Sequence, residues 1–498
     1  MVLQSKEKMS DPAFRSATAL AAALRRKEIG AEELLDHYLA RIGRHNAALN
    51  AVVALDPDAA RQAARAADAA LARGETLGPL HGLPMTIKEC FEAVGMPASC
   101  GLPGLAKHMP DSDADSVARL KAAGAVIFGK TNLPAGASDH QTYNTLYGTT
   151  NNPWDLGRTP GGSSGGSAAA IAAGLAALEM GSDIGGSIRV PAHLCGVYGH
   201  KPSYGIVSGR GHIPPPPGSL YPTEIGVFGP LARSAYDLEL ALEAMAGPEP
   251  HLAKAWSLSL PPARHAELRR FRVAMWADAS AYTTDSGYLA AIHQFADDLR
   301  RLGVTVDLAR PEIDPLRCYE DYLATVMGIF GARVPEEELA AQLDSARHVT
   351  DPDSYPARVA RAATQSYRDW IALGERRERI GLAWRAFFRQ FDLLLCPAFA
   401  TVAFPHDNEG NGGHNDQFSR VIMVDGRPRP YLDNLMWPGF VTIANLPSTV
   451  VPTGRLVNGL PAGIQIVGPF LEDRTPLRFA QLVEDAIGGY RIPPSFAD

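Results

Sequence analysis

The sequence predicts a layered α/β protein built on one sheet, and two observations carry that reading. Strand-like runs (VYGHKPS, IGVFGPLA, FRVAMWAD, VTVDLA, DLLLCP) alternate with helical stretches such as 234–245 and 286–302, the pattern of a sheet covered by helices. Strand-like runs also lie towards both ends, ALNAVVAL early and STVVPTGR and AGIQIVG late. One sheet is therefore expected to span residues 1–498 as a single domain. Length alone would divide 498 residues into about three domains, but neither an internal repeat nor a low-complexity linker marks a boundary.

Taken in order, residues 14–45 carry apolar positions at helical spacing (Leu34, Leu35, Tyr38, Leu39, Ile42), with Gly30 separating two helices. PDAARQAARAADAALARG opens on proline and an acidic turn and ends on glycine, which predicts a helix over 57–74. The apolar run around Met85 and Ile87 predicts a short buried strand that delivers Lys88 at its end. A helix over 114–123 and a strand over 125–131 follow. LPAGASDHQTYNTLYGTTNNPWDLGRTP then reads as a long loop, a length usually reserved for function. Residues 313–390 are helical by pattern and 401–436, including DNEGNGGHND, is polar and irregular. The span 313–436 is expected to line or cover a pocket, with Tyr322, Met327, Phe330 and Tyr431, and Trp437 just after it, as its apolar residues, although core positions for these are the commoner outcome. A helix over about 474–487 closes the chain.

Apolar residues make up 46% and charged residues 20%, the balance of an ordinary globular protein, and the net charge of −7 comes with no long basic run. Composition thus points to a small neutral substrate and away from nucleic acid or an anionic membrane. MVLQSKEKMSDP lacks the apolar core of a secretory signal and no run reaches membrane-spanning length, so a cytoplasmic location is expected. Five scattered cysteines (Cys90, Cys100, Cys195, Cys318, Cys396) form no CxxC pair, and the 14 histidines form no HExxH. Neither a disulfide framework nor a metal site is predicted, and no cofactor is expected.

Three motifs compete for the chemistry. GAVIFGKT (124–131) fits the phosphate-loop expression, but its variable residues are themselves a strand and cannot wrap a phosphate. GGSSG (161–165) fits the nucleophile elbow, which needs a buried strand just before it, and NNPWDLGRTP is not one. The third reading joins Lys88 to the serines of two glycine-rich loops, Ser163 and Ser187, with a short helix and strand between them. A serine is a weak nucleophile until a base takes its proton, and lysine serves only when neutral, which burial promotes. Ser163 would relay the proton, Ser187 would attack, and the amides of DIGGS would stabilise the oxyanion.

GGSSGGSAAAIAAGLAALEMGSDIGGSIRVPA resembles the signature stretch of the amidase signature family, and GLPMTIKE resembles its lysine segment. The separations agree with that family: 75 residues from Lys88 to Ser163 and 24 from Ser163 to Ser187. DLLLCP, LPSTVVPTG and GLPAGIQIVG resemble its C-terminal segments, so the resemblance covers nearly the whole chain. It implies a central mixed sheet flanked by helices on both faces, Ser187 as acyl-forming nucleophile, Ser163 as bridging serine after a cis Gly162–Ser163 bond, and Lys88 as base. It further implies an oxyanion hole from the amides of Ile184, Gly185, Gly186 and Ser187, supporting roles for Ser164, Asp183 and Arg189, and acyl-pocket positions at Gly136 and Ala137. The chain departs from the family where an aspartate usually follows the lysine: here Glu89 does, with Cys90 beside it. Cys90 as a nucleophile lacks the glutamate and lysine that nitrilase chemistry needs, and reads as a buried structural thiol.

The expected function is hydrolysis of the C–N bond of a small neutral amide, with esters and carbamates also open to attack, through a serine acyl-enzyme. Expected partners are the amide alone, with no nucleic acid and no membrane; a homodimer is left open. The alternative is a glutaminase-type subunit of a tRNA-dependent amidotransferase, which uses the same triad to make ammonia for a partner.

Overall fold

The computed structural model describes residues 11–278, 282–348, 351, 354–408, 417 and 420–498. The N-terminal segment MVLQSKEKMS and the whole of EGNGGHND lie outside the described residues. In chain order the strands are β1 (Val52–Leu55), β2 (Pro84–Lys88), β3 (Val126–Thr131), β4 (Tyr143–Asn144), β5 (Gly148–Thr149), β6 (Glu179–Asp183), β7 (Tyr198–Lys201), β8 (Val227–Ala232), β9 (Arg272–Met275), β10 (Thr305–Leu308), β11 (Leu393–Pro397), β12 (Val421–Val424), β13 (Arg427–Pro430), β14 (Ser448–Val457) and β15 (Leu460–Val467).

Eleven of these form one sheet in the order β1-β3-β2-β6-β8-β7-β14-β15-β11-β9-β10. The sheet is mixed: β3, β2 and β6 run parallel at one end, β11, β9 and β10 at the other, and antiparallel pairs join them. As expected, the sheet takes strands from both halves of the chain. Helices cover it, and each forms for local reasons. Pro57–Ala72 starts where Asp56 accepts from the Ala59 amide and lays Ala60, Ala64 and Ala67 on the core. The helix Gly165–Ala172 (GGSAAAIA) is buried along its whole length, which only its small side chains allow.

Two features of the sheet position the site. Strand β2 is buried at every residue and sits between parallel partners, with Lys88 opposite Thr131 and Ile87 opposite Met180. Lys88 and the loop after Asp183 therefore leave the same edge of the sheet, at the carboxyl ends of adjacent parallel strands, where open α/β sheets gather ligands. Residues 124–131 do contain a strand, and Lys130 turns to the carbonyls of Phe91 (2.7 Å) and Pro97 (2.6 Å).

Helices Pro315–Gly331, Tyr355–Ala363 and Tyr367–Phe387 pack with Met436–Thr442 around a second apolar cluster that includes Trp276, Tyr319, Trp384 and Trp437. Trp437 lies edge-on to Trp276 at 5.4 Å between ring centroids, as core packing predicts. Among the described residues no helix is long and apolar enough to cross a membrane.

Candidate active site

Lys88 is completely buried, and its Nζ lies 2.6 Å from Ser163 Oγ and 3.0 Å from Ser182 Oγ. Burial lowers its pKa because an ammonium loses its hydration there, while Cys90, Cys100, Asp183 and Glu179 pull weakly the other way. A neutral amine at this position has a lone pair to accept the Ser163 hydroxyl proton and hydrogens for Ser182. Sequence reasoning misses Ser182; its one signal is the serine just before Asp183 in GSDIGGS. The Gly162–Ser163 bond is cis. A side chain on Gly162 would meet the Asp139 carbonyl at 2.3 Å, so this approach admits only glycine. The Ser164 amide donates to the Ser187 carbonyl at 3.1 Å, stitching the two serine loops together, and Ser163 and Ser187 line one cavity.

The loop between Asp183 and Arg189 is fixed from both sides. Asp183 accepts from the amides of Gly186 (2.8 Å) and Ile188 (3.1 Å), and its carboxylate pairs with the Arg189 guanidinium at 2.9 Å with both side chains fully buried. Burial alone would raise the Asp183 pKa, but the charge and hydrogen bonds of Arg189 outweigh it and hold the carboxyl well below the usual range. Arg189 also donates to the Pro438 carbonyl, Gln465 Oε1 and Thr442 Oγ1, all within 3.0 Å. This pair is part of the interior, not the surface contact that short spacing alone allows. Ser164 Oγ donates to the Ser182 carbonyl at 3.3 Å, tying the Ser163 loop to β6.

Of the four amides expected to face an oxyanion, that of Gly186 is taken by Asp183, whereas those of Ile184, Gly185 and Ser187 meet no acceptor among the described residues. Ile184, Gly185 and Ser187 line the cavity. Two side chains hold this strip of backbone: Tyr322, expected only as an apolar wall of the pocket, and His140, which the sequence does not single out. Tyr322 donates its hydroxyl to the Ile184 carbonyl at 3.1 Å, and His140 Nε2 donates to the Gly185 carbonyl at 2.8 Å. Burial lowers the His140 pKa, favouring the neutral ring, which in its Nε2–H form makes this bond.

Two lobes, about 560 and 440 Å³ counting the space open to solvent, meet at Ser187. Tyr322, Val326, Met327, Phe330, Leu432 and Leu435 give the larger its apolar wall; the smaller holds Ser163, Ser182, Phe228 and Arg333. Gly136 and Ala137 line the smaller lobe, Ala137 both. Tyr322, Met327, Phe330 and Tyr431 thus border the cavity, while Trp437 lies in the second core cluster. Cys90 is buried and free, with Sγ 3.2 Å from His212 Nε2. Among the described residues no group of three or more His, Cys, Asp or Glu side chains is arranged to hold a metal.

The family model described as Amidase matches residues 33–477. The chain is 33% identical over 503 residues to a glutamyl-tRNA(Gln) amidotransferase subunit from Acidothermus cellulolyticus, covering 96% of this chain and 95% of that one. It is 34% identical over 505 residues to the subunit of the same name from Anaeromyxobacter sp. (strain K), covering 97% of each. A solved structure, reported as an unexpected vestigial protein complex that reveals the origins of an s-triazine catabolic enzyme, superimposes with a TM-score of 0.79 at 30% identity and covers 96% of this chain and 100% of that one. These relatives correct the expectation of a small amide as sole partner with no nucleic acid, because the proteins so named are subunits of an enzyme whose name includes a charged tRNA. The physical reason is that net charge describes one chain alone: no single subunit need carry the basic surface of its assembly. Family model and relatives agree over nearly the whole length, and this chain belongs to the amidase signature family of C–N hydrolases.

Proposed function

We propose that the chain is the amide-cleaving subunit of an amidotransferase-type assembly, releasing ammonia from an amide donor through a serine acyl-enzyme. The observation that carries the chemistry is the buried Lys88 Nζ, 2.6 Å from Ser163 Oγ in the cavity that also holds Ser187. Neutral Lys88 takes the Ser163 proton as Ser163 takes that of Ser187, and Ser187 Oγ adds to the amide carbonyl. The amides of Ile184, Gly185 and Ser187 receive the developing oxyanion. The tetrahedral intermediate collapses, the relay returns its proton to the departing nitrogen, and water then cleaves the acyl-enzyme by the same route. Asp183, Arg189, Tyr322 and His140 act as positioning residues for that strip of amides.

The assembly is supported by relatives at 33 and 34% identity that bear the name of an amidotransferase subunit. The test is ammonia release from glutamine, and from simple amides, by the chain purified alone and by the chain isolated with whatever subunits accompany it. The proposal expects release to rise by about tenfold or more in the assembly, a coupling of ordinary size between subunits. Full activity alone, with no accompanying subunit, contradicts it.

The apolar wall of the larger lobe favours a second reading, cleavage of an amide whose acyl group is apolar by the chain unassisted. Aryl and fatty amides in the same assay separate the two.

A further inference from the structure

Glu89, where the chain departs from its family, and Cys90 beside it take no part in the amide chemistry, yet both are held in a defined arrangement. The Glu89 carboxylate accepts from the amides of Ser99 (2.6 Å) and Cys100 (2.7 Å), which pins the segment carrying Cys100 against the one carrying Cys90. Both thiols then reach one short stretch of backbone. Cys90 Sγ lies 3.2 Å from His212 Nε2, and Cys100 Sγ donates to the Ile213 carbonyl at 3.1 Å. The Cys100 S–H is also within hydrogen-bonding reach of the Cys90 sulfur.

His212 is oriented to take a proton. Its Nδ1 lies 3.0 Å from the Pro214 carbonyl, which can only accept, so Nδ1 carries the hydrogen and the Nε2 lone pair faces Cys90. A thiol facing such a lone pair gives up its proton readily, and the thiolate is the reactive form. Burial alone would raise the Cys90 pKa, but the hydrogen bond from Cys100 and the charge of a protonated His212 outweigh it. Cys195, Cys318 and Cys396 are also buried, and burial pushes all three thiols up. His212 is only half-buried and lines the smaller lobe with Gly136 and Pro214, so a small solute in that lobe meets the ring that holds the Cys90 sulfur.

We propose that Cys90 is a peroxide-reactive thiol and Cys100 its resolving partner, so that hydrogen peroxide entering the lobe closes a Cys90–Cys100 disulfide behind the lobe wall. This inference is independent of the amide-cleaving reading. The Cys90 thiolate attacks one peroxide oxygen, the O–O bond breaks, and His212 passes the thiol proton to the departing hydroxide, which leaves as water. Cys90 is left as a sulfenic acid. Cys100 Sγ then attacks the sulfenic sulfur, the S–O bond breaks, and the oxygen leaves with the Cys100 proton as a second water. One peroxide is reduced by two electrons, and two thiols are oxidised to one disulfide.

The test treats the reduced, folded full chain with hydrogen peroxide and reads each cysteine by peptide mass mapping without reductant. In the wild type the Cys90–Cys100 disulfide should form about tenfold or more faster than Cys195, Cys318 or Cys396 oxidises, because the thiolate sets the rate, and dithiothreitol should reverse it. In Cys100→Ser, Cys90 should stop at the sulfenic acid and be captured by dimedone; in Cys90→Ser, Cys100 should stay reduced. His212→Gln should slow the reaction about tenfold or more, since it removes the group that takes the thiol proton. In wild-type protein unfolded in urea the advantage of Cys90 should vanish. Oxidation of Cys90 no faster than that of the other three, a disulfide joining any other pair, no dimedone adduct in Cys100→Ser, an unchanged rate in His212→Gln, or an advantage that persists in urea overturns the proposal.

Discussion

Lys88 Nζ stands 2.6 Å from Ser163 Oγ, closer than it stands to Ser182 Oγ at 3.0 Å, in a position from which solvent is wholly excluded. The short contact joins the proposed base to a hydroxyl, and the longer one holds its amine in place.

The first prediction concerns pH. The base form of Lys88 is the neutral one, and burial lowers its pKa, so the amine stays neutral to a lower pH than an ordinary lysine would. The kcat/KM should fall in acid as Lys88 gains its proton, with the midpoint below the usual lysine value of about 10.4. Lys88→Met should remove this limb and lower kcat/KM by several orders of magnitude without unfolding the protein, since an apolar side chain suits a dry site. A pH profile of wild type and variant, with circular dichroism of both, checks this.

Ser163→Ala breaks the relay but leaves Ser187 in place. A loss of about 10²- to 10⁴-fold in kcat is expected, the usual worth of positioned proton transfer. Stopped-flow measurement of acylation with an activated ester should place the loss in the acylation step.

Asp183→Asn leaves Arg189 charged, fully buried and without its counter-ion. The expected cost is about 3 to 5 kcal/mol, the range for breaking a buried pair, read from urea denaturation. The wild-type carboxyl titrates below its unfolded value of about 3.9. Its stabilisation is therefore present above that value and lost as pH falls through the folded one, and Asp183→Asn should flatten this part of the acid-denaturation curve.

Tyr322→Phe removes the hydroxyl that donates to the Ile184 carbonyl. It should lower kcat about tenfold with KM little changed, the signature of a contact that serves the transition state. Steady-state kinetics with a melting temperature for the variant checks it; a fall in stability with kcat preserved would assign Tyr322 to packing.

The fold and the meeting of the three groups proposed to react are legible because their signals are local. Lys88 closes a short apolar strand, and Ser163 and Ser187 sit in glycine-rich loops at recognisable separations. Ser182 and His140 are not legible, and Tyr322 is legible only as a pocket residue and not by its bond to the Ile184 carbonyl, since these contacts cross 94, 45 and 138 residues of chain and no periodicity announces them. The helix Arg189–Cys195 starts without a side-chain cap and carries Pro191, so nothing in its sequence marks it. The hairpin Val421–Pro430 departs from the irregular structure expected there, because RPRP is poor in strand formers and conceals its pairing. The glycine loop points to the oxyanion strip in outline, yet which amide Asp183 takes depends on a side-chain rotamer that sequence does not encode.

The most direct measurement of the central claim is intact-mass analysis with peptide mapping after reaction with a fluorophosphonate, which traps an activated serine. The account predicts one adduct, on Ser187, formed rapidly in the wild type, slowed by orders of magnitude in Lys88→Met and absent in Ser187→Ala. An adduct on Ser163 or Cys90, or equal labelling of the wild type and Lys88→Met, would contradict it.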